Sequence, residues 1–181
     1  DAFKKAGLDP EKPPKTWDEV KYAAIALKAS GSSCPMTTTW MGWTQLESFS
    51  SWHNAPVATQ NNGFNGLDVE VLLNQPLQVR HFNNLNEMAK EGLFVYKGRA
   101  DAAGPAFLAG ECAMTFGSSG SYGSLKQDAK FDFGETTMPY YADVAGAPQN
   151  TVIGGASLWV MNGKPADNYR GVAKFFEYIS Q

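Results

Sequence analysis

The chain has 181 residues, of which 43% are hydrophobic and 13% aromatic, and its 15 basic and 18 acidic residues leave a net charge of −3. This length and apolar content suit one folded domain and exclude an intrinsically disordered chain. The sequence has no basic run that would favour nucleic-acid binding, no apolar stretch near the ~20 residues of a membrane span, and no closely spaced cysteines or histidines typical of a zinc module.

In chain order, the hydrophobic pattern predicts helices that alternate with strands. The first half is predicted to form a short helix at 1–7, a helix at 17–29, a strand at 34–40, a helix at 43–52, a surface loop at 54–66, a segment at 67–73 that is either a strand or a helix lead-in, and a helix at 76–92. The second half is predicted to form a helix at 102–109, a strand at 112–116, a hinge at 117–121 leading into a helix that ends near 129, a strand at 131–137, a loop at 138–150, a strand at 151–160 and a helix at 165–180. This alternation is typical of an α/β layered domain.

Local signals support two of these helices. Thr16 and Glu19 have the spacing of a capping box, and Pro76 stands where a helix accepts proline, in its first turn. The sequence begins without Met inside a helical pattern and ends in an amphipathic helix without a cap. We therefore expect it to be a piece of a longer protein.

The strongest local signal for a binding site is a run of small residues at a strand-to-helix turn, Thr115-Phe-Gly-Ser-Ser-Gly-Ser121. Glycines let a ligand approach backbone N–H groups, and the start of a helix attracts negative charge. The hydroxyls of Ser118 and Ser119 suit a phosphate, a carboxylate or a sugar hydroxyl. A tight turn with serines that cap the helix explains the same pattern about as well.

The same run raises an alternative from another class, an α/β serine hydrolase that uses Ser118 or Ser119. A nucleophile elbow requires G-x-S-x-G, whereas the second glycine here comes one residue early. A triad also requires a histidine, and the chain has only His53 and His81. Because His81 shares a helix face with leucines, it is predicted to be packed in the interior or half-exposed.

Two tryptophans, Trp40 and Trp43, flank a glycine just after the strand predicted at 34–40. Indoles offer flat apolar area to the carbon face of a polyol or sugar and an N–H group for orientation. Core packing is the alternative, and it is stronger for Trp43. The paired Gly154 and Gly155 in an apolar segment indicate a close approach to the backbone by a ligand, a strand or a hinge.

Several of these motifs resemble the family 1 extracellular solute-binding proteins, the receptors of carbohydrate-type ABC importers. The resemblance covers essentially the whole chain. It rests on the N-terminal Asp1-Ala-Phe-Lys-Lys-Ala-Gly-Leu-Asp-Pro10, and on Pro14-Lys-Thr-Trp-Asp-Glu19, Phe107-Leu-Ala-Gly-Glu-Cys-Ala-Met-Thr115 and Gly154-Gly-Ala-Ser-Leu-Trp-Val160. Within the family, receptors for sn-glycerol-3-phosphate are the most similar, through Trp40-Met-Gly-Trp43, Asn61-Asn-Gly-Phe64, Ser118-Ser-Gly-Ser121 and Ala147-Pro-Gln-Asn150.

The resemblance implies an α/β fold that forms one lobe of a two-lobed, type II periplasmic-binding-protein clamp. Residues 1–150 would be the core of the second lobe, and 151–181 a returning strand and helix that lead toward the first. The implied function is non-enzymatic: a periplasmic subunit that delivers ligand to the membrane permease of an ABC importer, without a cofactor. The implied ligand is a small phosphorylated polyol, sn-glycerol-3-phosphate or a related glycerophosphodiester, and a sugar or oligosaccharide is the alternative.

The resemblance also implies which residues bind the ligand. Trp40 and Trp43 would contact the glycerol moiety, Ser118 would lie near the phosphate, and Gly155 would be among the contacts, with Ser119 beside them. We expect Trp40 and Ser118 to face one cleft, because each follows a strand end at the same edge of the sheet. Contacts that the family takes from the first lobe, and from an arginine near the C-terminus, have no counterpart in this sequence.

Two further expectations follow from the implied periplasmic location and the missing lobe. A periplasmic protein can hold a disulfide between Cys34 and Cys112, and two buried free thiols are an equally good interpretation. The surface that would meet the first lobe is expected to favour self-association of this chain.

Overall fold

Two parallel strands, β1 (Cys34–Thr38) and β2 (Cys112–Phe116), form the sheet at the centre of the protein, in a computed structural model that describes residues 1–181. Their register pairs Cys34 with Cys112 and Thr38 with Phe116. Every residue of β1 is buried, and a parallel bridge joins its Met36 to Phe94 on the far side from β2.

Helices surround this sheet. They are α1 (Ala2–Lys5), α2 (Trp17–Ala29), α3 (Phe49–Trp52), α4 (Thr59–Asn62), α5 (Pro76–Lys90), α6 (Gly104–Leu108), α7 (Tyr122–Asp128) and α8 (Ala166–Ile179). A π-helical turn at Trp43–Ser48 runs directly into α3, and a 3₁₀ turn at Ser119–Ser121 runs into α7. None of the helices is long and apolar enough to cross a bilayer.

Helix α2 forms as its sequence predicts. Thr16 and Glu19 make the reciprocal capping box: the Glu19 N–H donates to the Thr16 hydroxyl at 3.2 Å, and the Thr16 N–H donates to the Glu19 carboxylate at 3.0 Å. The apolar face of α2, which carries Trp17, Val20 and Ala24, is buried. It belongs to a core that α2 shares with β1, α3 and α5, made of Trp17, Val20, Ala24, Met36, Phe49, Leu85, Met88, Leu93, Phe94 and Tyr141.

The two cysteines lie opposite each other at the first residue pair of the sheet. Their Cα atoms are 4.5 Å apart and their sulfurs are bonded, so the structure has the disulfide rather than two free thiols. This bond ties together two strands whose cysteines are 78 positions apart in sequence.

Two predicted strands are wrong. Residues 131–137 and 151–160 contain no strand, and the segment at 67–73 contributes only a single bridge, between Ala58 and Val71. A strand requires a hydrogen-bonded neighbour, and apolar alternation in one segment does not supply one. Residues 151–160 are unpaired, and most of their apolar side chains are exposed, with Ile153 99% and Trp159 85% exposed.

Other predictions need a change of bounds. The strand predicted at 34–40 ends at Thr38, because the chain turns sharply at Trp40. The helix predicted at 43–52 divides into the π-helical turn and α3. The helix predicted at 165–180 is present as α8, but none of its residues is buried. The division of the chain into residues 1–150 and 151–181 stays a prediction, although the strand expected at the start of the second part is not formed.

Candidate functional site

The candidate site lies where β1 and β2 end. Past the last register pair, the backbone N–H and the hydroxyl of Thr39 both donate to the carbonyl of Phe116, at 2.9 and 3.1 Å. Gly117 makes this close approach possible, because a Cβ atom there would lie 2.8 Å from the Thr39 hydroxyl oxygen. The two segments therefore stay paired just beyond the ends of β1 and β2, and Trp40 and Ser118 both lie at this end of the strands.

Trp40 has a strained backbone and an accessible side chain. Its φ of 47° lies in the left-handed region, which bulky residues rarely adopt, and 49% of the residue is exposed. Its N–H donates to the carbonyl of Ala100 at 2.7 Å, and its carbonyl accepts from the N–H of Thr44 at 2.9 Å. Such strain persists only where surrounding contacts hold it, and it is concentrated at ligand sites.

Trp43 is half-buried, and its indole lies against the backbone of Gly154. A Cβ atom at Gly154 would be 2.9 Å from the indole carbon Cζ2, so this contact requires a glycine. The next residue, Gly155, has a φ of 146°, and it is exposed. The structure thus brings two of the predicted site regions together: the turn at residues 40–43, called the tryptophan turn below, and the paired glycines Gly154 and Gly155.

Ser118 caps the turn that follows β2. Its hydroxyl oxygen accepts from the Gly120 N–H at 3.1 Å, and its carbonyl accepts from the N–H and hydroxyl of Ser121 at 3.1 and 2.6 Å. The capping interpretation of the serine run therefore applies to Ser118. The cap uses only a lone pair of the Ser118 hydroxyl, and the hydroxyl hydrogen remains free to bind an acceptor on a ligand. Ser119 is exposed at the start of the 3₁₀ turn.

Both histidines are buried and hydrogen-bonded in the core. The Nδ1–H of His53 donates to the Phe49 carbonyl at 2.8 Å, and its Nε2 accepts from the Tyr141 N–H at 3.0 Å. Because Nε2 accepts, Nδ1 carries the proton and the ring is neutral. Burial lowers the pKa of His53, chiefly by desolvation.

His81 is neutral because its burial disfavours the charged form. Its Nε2 lies 3.1 Å from the side-chain oxygen of Gln45, and its Nδ1 lies 3.4 Å from the Tyr141 hydroxyl. Desolvation, followed by the repulsion that a protonated His53 would exert, lowers the pKa of His81 to about 3. The ring nitrogens of both histidines are committed to core partners, so neither histidine is available as a base for Ser118 or Ser119.

The sequence did not point to the buried polar residues beneath the tryptophan turn. Thr44 and Gln45 are enclosed, and they hydrogen-bond to Thr38 and to the backbone on either side of Trp40. In the sequence, Thr44 and Gln45 stand between the apolar residues of the helix predicted at 43–52. Polar residues at such positions are expected on the exposed face of a helix, so they do not indicate burial.

The chain matches, over residues 1–181, the family model described as bacterial extracellular solute-binding protein. It is 53% identical over 179 residues to the sn-glycerol-3-phosphate-binding periplasmic protein UgpB of Yersinia pestis bv. Antiqua (strain Antiqua). The matched region covers 99% of this chain and 41% of that protein. It is 52% identical over 181 residues to the UgpB of Salmonella typhimurium (strain LT2), again 41% of that protein. The chain therefore spans about two fifths of the length of these relatives.

Solved structures show the same fold at low sequence identity. UgpB from Mycobacterium tuberculosis, in complex with glycerophosphocholine, superposes with a TM-score of 0.61 at 22% identity, over 81% of this chain and 36% of that one. The cyclic alpha-maltosyl-1,6-maltose binding protein from Arthrobacter globiformis gives 0.63 at 23% identity over the same shares. The predicted fold class, an α/β solute-binding-protein lobe, is confirmed. This chain belongs to the bacterial extracellular solute-binding protein family.

Proposed function

We propose that this chain is part of the periplasmic substrate-binding component of an ABC importer, and that the whole protein binds sn-glycerol-3-phosphate for uptake. The relatives that match at 51–53% identity carry that ligand and that location in their names. The observation that carries the proposal is the shared edge of the sheet, where Trp40 and Ser118 emerge beside each other from paired strands.

Each residue of the site has a chemistry that suits part of this ligand. The exposed indole of Trp40 offers apolar area to the carbon chain of glycerol, and the half-buried Trp43 extends it toward Gly155. The free hydroxyl hydrogens of Ser118 and Ser119 suit phosphate oxygens, since charge-assisted hydrogen bonds are the stronger ones. No step of this function requires bond making or breaking, a cofactor or a metal.

The partners of the whole protein follow from the same proposal. The membrane permease subunits of an ABC importer would receive the ligand from the closed receptor. The apolar side chains exposed along residues 151–161 and on α8 would lie against the remainder of the full-length protein. Where that remainder is missing, they would drive self-association of the 181-residue chain.

Removing the exposed indole tests the site most simply. In the full-length protein, Trp40→Ala is expected to weaken the binding of sn-glycerol-3-phosphate roughly 30-fold, about 2 kcal/mol, as for a central aromatic contact. Tyr22→Ala is the matched control, because Tyr22 is an aromatic residue that is also exposed but lies on α2. Isothermal titration of both variants gives the comparison, and equal affinities would remove Trp40 from the site.

A further inference from the structure

The backbone conformation of Trp40 is energetically unfavourable, and contacts from other residues are needed to stabilise it. Trp40 has a φ of 47°, and Ala100, whose carbonyl accepts the Trp40 N–H at 2.7 Å, has a φ of 50°. Neither residue is a glycine, so the left-handed backbone conformation is strained at both positions, and one hydrogen bond joins them. Backbone strain of this kind persists where the surrounding structure holds it.

Thr44 fixes the carbonyls on both sides of the strained position. Its hydroxyl lies 2.8 Å from the Thr39 carbonyl and 3.2 Å from the Trp40 carbonyl, and its N–H donates to the Trp40 carbonyl at 2.9 Å. The hydroxyls of Thr44 and Thr38 are also 2.9 Å apart. Thr44 is only 3% exposed, so water has little access to replace its hydroxyl. Without that hydroxyl, the Thr39 carbonyl keeps only the Thr38 hydroxyl, at 3.1 Å, and the Trp40 carbonyl keeps only the Thr44 N–H, at 2.9 Å. Two of the side-chain contacts that fix the turn are then lost from a buried position.

A second layer holds Thr44 in place. Gln45 is fully buried, its amide nitrogen donates to the Thr38 hydroxyl at 3.1 Å, and its oxygen lies 3.1 Å from Nε2 of His81 on α5. These bonds anchor the π-helical turn that contains Thr44 and Gln45 to both β1 and α5. π-Helical turns are uncommon and are frequently found at functional sites.

We propose that Thr44 is a positioning residue for ligand binding: its side-chain hydroxyl holds Trp40 in the left-handed conformation that presents the indole at the edge of the sheet. Thr44 does not need to touch the ligand. The inference rests on the proposed function for its effect on affinity, whereas its effect on Trp40 is independent of any ligand.

The test compares two buried threonines near the end of β1. Thr44→Val keeps the shape of the side chain and removes its hydrogen bonds, and Thr44→Ser keeps the hydroxyl. Thr37→Val is the matched control, because the Thr37 hydroxyl is equally buried but donates to the Val95 carbonyl at 2.8 Å, away from the tryptophan turn. The readout is the ¹⁹F NMR resonance of Trp40 in full-length protein labelled with 5-fluorotryptophan, assigned with Trp40→Phe.

In Thr44→Val, the Trp40 resonance is expected to shift or broaden, and the dissociation constant for sn-glycerol-3-phosphate to rise about tenfold. In Thr37→Val and Thr44→Ser, the resonance stays in place and affinity changes less than twofold. An unchanged Trp40 resonance in Thr44→Val, or an equal change in Thr37→Val, overturns the inference. If the resonance moves while Trp40→Ala binds like the wild type, the positioning role stands and the proposed ligand site fails.

A second measurement covers the case in which Thr44→Val does not fold alone. Glycine adopts the left-handed backbone freely, so Trp40→Gly removes the strain that the Thr44 bonds oppose. Thr44→Val combined with Trp40→Gly is then expected to fold and to unfold in urea at nearly the midpoint of Trp40→Gly alone. A double variant that is unfolded, or that loses as much stability as Thr44→Val loses by itself, overturns the inference.

Discussion

Two uncharged histidines lie inside the core beneath the tryptophan turn. His81 stacks on the ring of Phe49, with ring centroids 3.8 Å apart, and Trp17 and Tyr141 pack against its other sides. The charged groups that act on His53 are Arg80 and Asp143, which pair with each other at the surface. The pair offers little to stabilise a proton on either imidazole, so the buried rings favour the neutral form.

These histidines predict a stability that depends on pH. A histidine with a lower pKa in the folded chain binds fewer protons there than in the unfolded chain, so the free energy of unfolding falls as the pH drops below the unfolded value. For His81 this window runs from about 6.5 down to about 3. Each histidine contributes up to about 1.4 kcal/mol per pH unit.

Urea unfolding between pH 7.5 and 5 measures this effect. The window avoids the carboxylates of Asp9, Glu19 and Asp143, whose pKa values are lowered from 3.8 or 4.5 and which lose their stabilising contribution only at lower pH. His81→Gln keeps a donor for Gln45 and is expected to reduce the slope. A stability that is the same at pH 5 and pH 7.5 would contradict neutral burial of the histidines.

At the level of single residues, the sequence allowed the position of two candidate residues in the fold to be predicted. Trp40 and Ser118 were chosen because each follows a strand, and the structure does place both at the same end of β1 and β2. The left-handed backbone of Trp40 could not be predicted, since it depends on Ala100, which is 60 positions away in sequence. The hydrogen bonds from Thr44 to the backbone around Trp40 could not be predicted either, because a threonine in a helical pattern has no preferred partner.

Among the elements, those with local signals were predicted best. The capping box of α2 depends only on residues at the start of the helix, and it is present as expected. The segment 151–160 has a clear apolar pattern but no strand, since pairing requires a neighbour that the pattern does not specify. The π-helical turn was missed because apolar residues at three-residue spacing suit an α-helix as well.

The disulfide between β1 and β2 is expected to stabilise the sheet substantially. It closes a loop across 78 positions, and cross-links over loops of this size stabilise proteins by about 2–5 kcal/mol, largely by restricting the unfolded chain. Replacing Cys34 and Cys112 together with serine should lower the free energy of unfolding by that amount. Denaturant unfolding with and without dithiothreitol measures it, and the serine variant, which has no bond to reduce, is the control. Equal stability of wild type and variant under oxidising conditions would contradict the bond.

For the whole molecule, exposed apolar side chains are expected to cause self-association of the 181-residue chain. Ile153 and Trp159 are almost fully open, and α8 leaves Phe175 and Tyr178 largely exposed as well. Size-exclusion chromatography with light scattering should give a mass that rises with concentration. Ile153→Ser with Trp159→Ser should reduce this rise, whereas Tyr22→Ser, which changes an exposed aromatic residue on α2, should not. A monomer at all concentrations would contradict the expectation.

The central claim is that the whole protein is a receptor for sn-glycerol-3-phosphate and that this chain supplies one side of its site. Isothermal titration of the full-length protein with sn-glycerol-3-phosphate, and separately with glycerophosphocholine and maltose, tests it most directly. We predict a dissociation constant of about 1 μM for sn-glycerol-3-phosphate, roughly −8 kcal/mol, and about millimolar or weaker for the 181-residue chain alone. The weaker value follows from the expectation that the rest of the full-length protein adds charge-assisted bonds to the ligand, each worth about 1.5–3 kcal/mol. Binding of maltose by the full-length protein, with no heat from sn-glycerol-3-phosphate, would contradict the claim.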